Sequence, residues 1–136
     1  MALGEIVAHY MERATLVRKD MAVDVARQIV ENDPNDLGIV VDEDGALVGV
    51  LAVADIVLTT NLKEKLDKPL DKAALHTPKD QVLKCTASES VDDVLARMVE
   101  RNLKAAVVVD EDGRPIGVLS RNGYRKRFAA QFQVRL

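Results

Sequence analysis

Few residues of this 136-residue chain could take part in chemistry, and they are scattered. The two histidines, His9 and His76, lie in unrelated stretches, and neither belongs to a repeated motif. The single cysteine, Cys85, can form no internal disulfide and fits no metal-ligand spacing. Because apolar residues alternate around it, Cys85 is predicted to be a buried structural thiol. We therefore expect a protein that is not an enzyme.

Two acidic runs, at residues 42–44 and 110–112, could suggest a cation site. Each run lies within a short turn and offers fewer oxygen ligands than calcium requires. The sequence therefore predicts solvated turns and no bound metal.

Charge is distributed unevenly along the chain. The net charge is −3, but the stretch from Gly113 to the end has six basic residues and no acidic one. This basic stretch either faces an anion or forms a solvated helix face. We expect no nucleic-acid partner, because the chain as a whole is acidic and has no aromatic stacking platform.

No apolar run approaches the ~20 residues that span a bilayer. The first residues also lack the basic start and apolar centre of a signal peptide. We expect a cytoplasmic protein without a membrane partner.

The elements that must position any site are duplicated. Val41–Gly45 returns as Val109–Gly113, and Gly49–Leu51 returns as Gly117–Leu119, both at an offset of 68. Upstream, two sets of apolar residues share a helical spacing at an offset of 69: Ala22, Val25, Ala26, Ile29 and Val30, and Val91, Val94, Leu95, Met98 and Val99. The change of offset predicts a one-residue deletion in the loop after the helix.

Each repeat is predicted to have the order β-α-β-β-α. A short extended segment precedes a helix, for which Asp20 and either Ser88 or Ser90 are candidate N-caps. Two strands joined by an Asp-Gly turn follow, and a last helix begins near Val53 or Arg121. The predicted strands are Thr15–Val17, Leu37–Val41 and Leu47–Leu51, then Val82–Cys85, Ala105–Val109 and Pro115–Leu119. The first repeat is assigned to residues 6–60, a connector to 61–81 and the second repeat to 82–132.

These two copies resemble a pair of CBS domains. The resemblance rests on Val41–Leu51 and Val109–Leu119, each of which follows a matching helix. It implies an α/β (α+β) fold in which the two repeats pack as a pseudo-twofold pair, and it implies a homodimer formed through helices. It also implies a regulatory role without catalysis, with AMP, ADP, ATP or S-adenosylmethionine bound in clefts between the repeats and no required cofactor.

The resemblance further implies a nucleotide motif, in which a Thr or Ser follows the return strand and an Asp comes three residues later. This chain divides that motif. The first copy has Ala52 and Asp55, and the second has Ser120 and Gly123. The ligand-contacting residues implied are Thr15, Val17, Ala52, Asp55, Ser120, Arg121 and Asn122.

The two half-sites are predicted to differ in preference. Asp55 would accept hydrogen bonds from a ribose, or it merely complements the dipole of its helix. Ser120, Arg121 and Asn122 would receive a phosphate, or they form an N-cap and a basic solvated helix.

Two functions follow from this sequence. One is a regulatory module that senses an adenine nucleotide or an adenosyl ligand and acts on a regulated protein. The alternative is a structural module for dimerisation or partner binding, with degenerate ligand sites.

Overall fold

The computed structural model describes residues 5–59, 62–73 and 76–132. The chain divides into two compact units. The repeat-1 unit is Ala14–Val82, and the repeat-2 unit is Leu83–Leu136 together with Met1–Arg13.

The repeat-1 unit contains a four-stranded sheet of order β1-β2-β3-β4. β1 and β2 are parallel, while β2–β3 and β3–β4 are antiparallel. Its elements are β1 (Leu16–Arg18), α1 (Val23–Glu31), β2 (Leu37–Val41), β3 (Leu47–Ala52), α2 (Val53–Val57), α3 (Leu62–Lys65), α4 (Leu70–Ala73) and β4 (Thr77–Pro78).

The repeat-2 unit contains a three-stranded sheet of order β5-β6-β7 with the same strand directions. Its elements are β5 (Lys84–Cys85), α5 (Val91–Glu100), β6 (Ala105–Val109), β7 (Pro115–Ser120) and α6 (Arg121–Phe132). A 3-10 turn at Val7–His9 precedes them, and Glu12 bridges to Val118 of β7.

The predicted order β-α-β-β-α is confirmed in both repeats. β2 and β6 have the predicted bounds, and each return strand is one residue longer than predicted. Ile39 pairs with Leu16 and Val50, as Val107 pairs with Lys84 and Val118. Ile39 and Val107 therefore occupy equivalent central positions, as the duplication predicts.

The predicted offset of 69 in the first helices is wrong. Each helix buries three residues, and the two sets lie 68 apart: Val23, Ala26 and Val30 in α1, and Val91, Val94 and Met98 in α5. Val25 and Val99, which the prediction placed on the repeated apolar face, are 47% and 60% exposed. Apolar residues flank the buried stripe of both helices, so two helical registers fitted the pattern equally well. No deletion separates the repeats here; α5 is one residue longer and its loop one residue shorter.

The N-caps of α1 and α5 also lie 68 residues apart. Ser90 is the N-cap of α5, and its hydroxyl accepts from the backbone N–H of Asp93 at 3.4 Å. The prediction that Asp20 caps α1 is wrong, since Ala22 holds that position. The Asp20 carboxylate instead pairs with Arg18 at 3.3 Å.

In each acidic hairpin turn, the first carboxylate accepts hydrogen bonds from backbone N–H groups of the same turn. Asp42 Oδ1 accepts from the backbone N–H groups of Asp44 and Ala46, both at 2.9 Å. Asp110 accepts from Asp112 and Arg114 in the same way. Gly45 and Gly113 adopt positive φ of 82° and 79°, which glycine tolerates at no steric cost. Both turns are therefore structural.

The connector, which the sequence assigned to residues 61–81, contributes to the repeat-1 core. Leu70 and Ala73 of α4 are buried beside Val23, Leu51 and Ile56. β4 extends the sheet by pairing with Gly49 and Val50. The predicted boundary at residues 60 and 61 lies outside the described residues.

The segment before the first strand packs in the repeat-2 unit. Val7 and Tyr10 are buried in its core, together with Leu83, Val94 and Leu119. The sequence division counted these early residues with the first repeat. Their partners lie far away along the chain, so local pattern could not reveal this placement.

Candidate functional site

The polar centre of the repeat-2 unit is Ser120, the last residue of β7. Its side chain is buried, with the residue 3% exposed. The Ser120 hydroxyl accepts from the backbone N–H of Gly123 at 2.8 Å, and so caps α6. The same hydroxyl donates to Glu12 Oε1 at 2.8 Å.

Glu12 was not among the predicted site residues. Its backbone pairs with Val118 in both directions, at 2.7 and 2.9 Å, and this fixes the segment beside β7. The contact with Ser120 joins residues 108 positions apart. The indirect signal in the sequence was the absence of a carboxylate at Gly123.

Two backbone N–H groups in the first turn of α6 already donate hydrogen bonds within the protein. Arg121 N–H donates to the Lys104 carbonyl at 2.9 Å, and Gly123 N–H donates to Ser120. The helix start that was predicted to receive a phosphate therefore already contains a carboxylate and two used donors. A phosphate beside Glu12 would meet like-charge repulsion.

The Arg121 side chain lines a shallow groove between α5 and α6. The other lining residues are Leu95, Val99, Tyr124, Arg125 and Phe128. The Tyr124 ring packs between those of Tyr10 and Phe128 at tilted angles of 55° and 33°, with ring centroids 4.7 and 5.6 Å away. Asn122 is exposed on the first turn of α6.

In the repeat-1 unit, Asp55 is exposed on the first turn of α2. Its Oδ2 accepts from the backbone N–H of Ala52 at 3.3 Å. Val53 N–H donates to the Asp36 carbonyl at 3.0 Å, as its counterpart Arg121 does to Lys104. The two last helices therefore begin with the same backbone arrangement.

Thr15 directly precedes β1 of the repeat-1 unit, and Val17 lies within it, so this strand begins and ends one residue later than the predicted Thr15–Val17. The Thr15 hydroxyl donates to Asp33 Oδ1 at 2.7 Å, which ties the strand to the loop after α1. Val17 is 1% exposed and belongs to the core. Packing therefore accounts for the Val17 side chain.

The glycines of the two return strands permit close approach of a neighbouring segment. A Cβ at Gly49 would lie 2.1 Å from the Thr77 carbonyl oxygen. A Cβ at Gly117 would lie 2.9 Å from the Glu12 carbonyl oxygen. Both glycines are therefore required by packing.

The predicted residues fall into two groups. Thr15, Val17, Ala52 and Asp55 lie in the repeat-1 unit, and the other three, Ser120, Arg121 and Asn122, lie in the repeat-2 unit. Within the repeat-2 group, Ser120 contacts Glu12, while Arg121 lines the groove.

Within the described ranges, no group of three His, Cys, Asp or Glu side chains could hold a metal ion. Among those residues, no helix is both long and apolar enough to cross a bilayer. Cys85 is buried as predicted, and burial together with the nearby charge of Glu89 raises the pKa of its thiol to about 12.

Comparison with known proteins decides the family. The family model described as CBS domain matches residues 7–59 and 74–129, which together are most of the chain. The chain belongs to the CBS domain family. The duplicated units are thus two CBS repeats, as the sequence resemblance indicated.

Among solved structures, the chain is similar to CBSX2 in complex with AMP, at 25% identity and a TM-score of 0.77, covering 96% of this chain and 99% of that one. It is also similar to the CBS domain pair of protein MJ0100 in complex with 5'-methylthioadenosine and S-adenosyl-L-methionine. That match has 21% identity and a TM-score of 0.73, and it covers 93% and 97% of the two chains.

Among curated proteins, inosine-5'-monophosphate dehydrogenase of Escherichia coli strain K12 is 29% identical over 87 residues, which are 64% of this chain. The chain spans only 17% to 22% of the length of the curated relatives it matches.

Proposed function

We propose that this CBS pair is a non-enzymatic regulatory module that senses an adenine nucleotide or an adenosyl ligand. The observation that carries the proposal is the duplicated helix start. In each repeat a glycine-containing return strand leads directly into the last helix, and one carboxylate lies at that point. Within the described residues, no cluster with metal-binding chemistry competes with this interpretation.

Similar structures support this ligand class. CBSX2 was solved with AMP, and the MJ0100 pair with 5'-methylthioadenosine and S-adenosylmethionine. These ligands share an adenosine part and differ in whether a phosphate is present. In this chain we assign the ribose to Asp55, which is exposed and carries the acceptor oxygens that a sugar diol requires.

A thermal-shift series with adenosine, AMP, ADP, ATP and S-adenosylmethionine tests the proposal. A ligand at 100 times its Kd stabilises the folded state by about 2.7 kcal/mol. For a domain of this size we expect Tm to rise by several degrees. The matched control is guanosine, which carries the same ribose on a different base. The absence of any shift with all five adenine compounds at millimolar concentration would contradict the proposal.

A second candidate is a module for dimerisation or partner binding. The observation that favours it is the α5–α6 groove, where Val99 and Phe128 are 60% and 44% exposed. Exposed apolar side chains grouped in one groove are typical of an interaction surface. We propose a cytoplasmic homodimer formed at this surface, acting on a regulated protein. A dimer that responds to none of the adenine compounds would favour this candidate alone.

A further inference from the structure

The groove between α5 and α6 combines apolar side chains with two cations. Its lining includes Leu95, Val99, Phe128, Arg121 and Arg125. In the part of the chain that the structure describes, no acidic side chain forms an ion pair with either arginine. The chain from Gly113 onward also has no acidic residue. A surface that fits this groove therefore offers apolar side chains together with negative charge.

The first repeat has such a pattern at the equivalent positions. The buried stripes of α1 and α5 lie 68 residues apart, and so do the first residues of α2 and α6. This alignment matches Glu31 with Val99, and Val57 with Arg125. The second repeat thus has an apolar residue on its first helix and a cation on its last helix. At the same two positions, the first repeat has a carboxylate and an apolar residue.

These residues of the first repeat are accessible to a second molecule. α1 contacts α2, Val57 is 60% exposed, and the neighbouring Leu58 is 81% exposed. The Glu31 side chain is half-exposed. The Arg27 guanidinium donates to Asp24 at 2.6 Å and lies farther, at 3.7 Å, from the Glu31 carboxylate. Glu31 is therefore held only weakly by its own helix, and its carboxylate can pair with a cation of another molecule.

A dimer in which like surfaces meet would bring equal charges together. A two-fold axis at the α5–α6 groove would set Arg121 and Arg125 near the same arginines of the other copy. Among the described residues that line this groove, none is acidic. A two-fold axis at the α1–α2 face would set Glu31 near its own counterpart. Because juxtaposed like charges oppose association, contact between unlike repeats is favoured.

We propose that the α5–α6 groove binds the α1–α2 face of a second copy of this chain. Glu31 of one copy pairs with Arg125 of the other. Val57 packs against Val99 in the same contact. Two-fold symmetry forms this contact twice in a dimer, because each residue contacts its partner position in both directions. This inference rests on the homodimer proposed above and adds which surfaces meet.

Cross-linking of cysteine variants tests which surfaces meet. Val57→Cys and Val99→Cys each add one exposed thiol, and a short bismaleimide joins thiols that lie close together. The native Cys85 is buried, so the unmodified protein is the blank. We expect an equimolar mixture of the two variants to give a covalent dimer, and we expect this product to be lost when either variant is treated alone. Val57→Cys mixed with Ile116→Cys, which is exposed on β7 outside the groove, is the matched control.

Reversal of charge tests the ion pair separately. Arg125→Glu sets a carboxylate opposite Glu31, and we expect the Kd of the dimer to rise about tenfold, because the contact occurs twice. Glu31→Arg combined with Arg125→Glu restores opposite charges and should recover most of the affinity. Lys126→Glu makes the same change of charge on an exposed residue outside the groove lining and is the matched control. Analytical ultracentrifugation measures the Kd, and thermal unfolding verifies that each variant is folded.

The results that would overturn the inference differ from a failure of the homodimer itself. If Val57→Cys alone or Val99→Cys alone cross-links as well as the mixture, like surfaces meet and the homodimer stands. If the protein is a dimer but the mixture cross-links no better than the Ile116→Cys control, the interface lies elsewhere. A double charge variant that stays as weak as Arg125→Glu would rule out the ion pair with Glu31. If the unmodified protein is a monomer across a wide concentration range, the homodimer fails and the inference fails with it.

Discussion

At the scale of single residues, Asp55 gives the most direct test of ribose binding. Asp55→Ala should weaken adenosine and AMP alike, because both carry the ribose. Loss of a charge-assisted hydrogen bond costs about 1.5–3 kcal/mol, or roughly ten- to a hundredfold in affinity. Calorimetric titration of the two ligands measures this, with Asp67→Ala on an exposed loop as the control. A drop confined to AMP would show that Asp55 acts on the phosphate side and would contradict the ribose assignment.

The Cys85 thiol gives a prediction about pH. Burial raises its pKa from 9.0 to about 12, so the folded state holds a proton that the unfolded state releases. The protonated thiol therefore makes its full contribution to the stability of the folded state below pH 9. This contribution is lost as the pH rises from about 9 to 12. Within that window the free energy of unfolding should fall by up to about 1.4 kcal/mol per pH unit from this group.

Cys85→Ala is the reference for this measurement, because every other titratable group is the same in both proteins. Urea unfolding at a series of pH values should show a steeper loss in the unmodified protein. Equal slopes would mean that the thiol is not buried in solution.

The family resemblance pointed to Ser120 and Asp55 because each lies in a short motif that joins a return strand to its last helix. The structure places both beside a helix start, where each makes a local hydrogen bond. Glu12 was not predicted, since its partner lies 108 residues away and no periodic pattern links the two. A hydrogen bond between side chains from distant segments depends on the tertiary fold, which a linear motif does not encode.

At the scale of elements, the strand bounds were predictable because buried strands carry apolar residues on both faces and Asp-Gly turns end them. Helix register was less predictable, since exposed valines such as Val25 and Val99 mimic the buried stripe. The short elements of the connector left no periodic signal. α4 has only four residues, and Leu70 anchors it through tertiary packing.

The connector should therefore contribute to the stability of the first repeat. Leu70→Ala removes a fully buried side chain and should cost about 2–5 kcal/mol in the free energy of unfolding. Lys72→Ala, exposed on the same helix, should change it by less than about 0.5 kcal/mol. If chemical denaturation gave equally small changes in the free energy of unfolding for both variants, α4 would be a linker without a structural role.

The edge strand β4 depends on a glycine opposite it. A Cβ at Gly49 would strike the Thr77 carbonyl oxygen, so Gly49→Ala should push β4 away and cost about 1–3 kcal/mol. The control is Gly113→Asn. A Cβ at position 113 would have no atom within 4 Å, and asparagine tolerates the positive φ found there. We expect hydrogen exchange of the Thr77 amide, the single backbone N–H of β4, to accelerate in Gly49→Ala only. Unchanged protection of Thr77 would contradict this explanation of the glycine.

At the scale of the whole molecule, the duplication has kept the fold while the two repeats diverged at their polar residues. The buried sets of α1 and α5 match at every position, whereas Ala52 and Asp55 of the first repeat correspond to Ser120 and Gly123 of the second. A core position is constrained by volume and apolar character, and both survive exchange among Val, Ala and Met. A polar position depends on its hydrogen-bond partners and on the space around it, and at Gly123 the Glu12 carboxylate occupies the space that a side chain would need.

The exposed apolar groove between α5 and α6 leads us to expect a homodimer. Val99 and Phe128 are apolar side chains in water, and contact with a second copy would remove them from it. We therefore expect light scattering to give about twice the chain mass of 14.9 kDa at micromolar concentration. Val99→Asp places a charge in the groove and should yield the monomer, because an unpaired carboxylate is costly to bury. Ile116→Asp is the matched control, since Ile116 is similarly exposed but lies on β7, outside the residues that line the groove. A mass near 15 kDa for the unmodified protein across a wide concentration range would refute the dimer. If Val99→Asp still forms a dimer, the interface lies outside this groove.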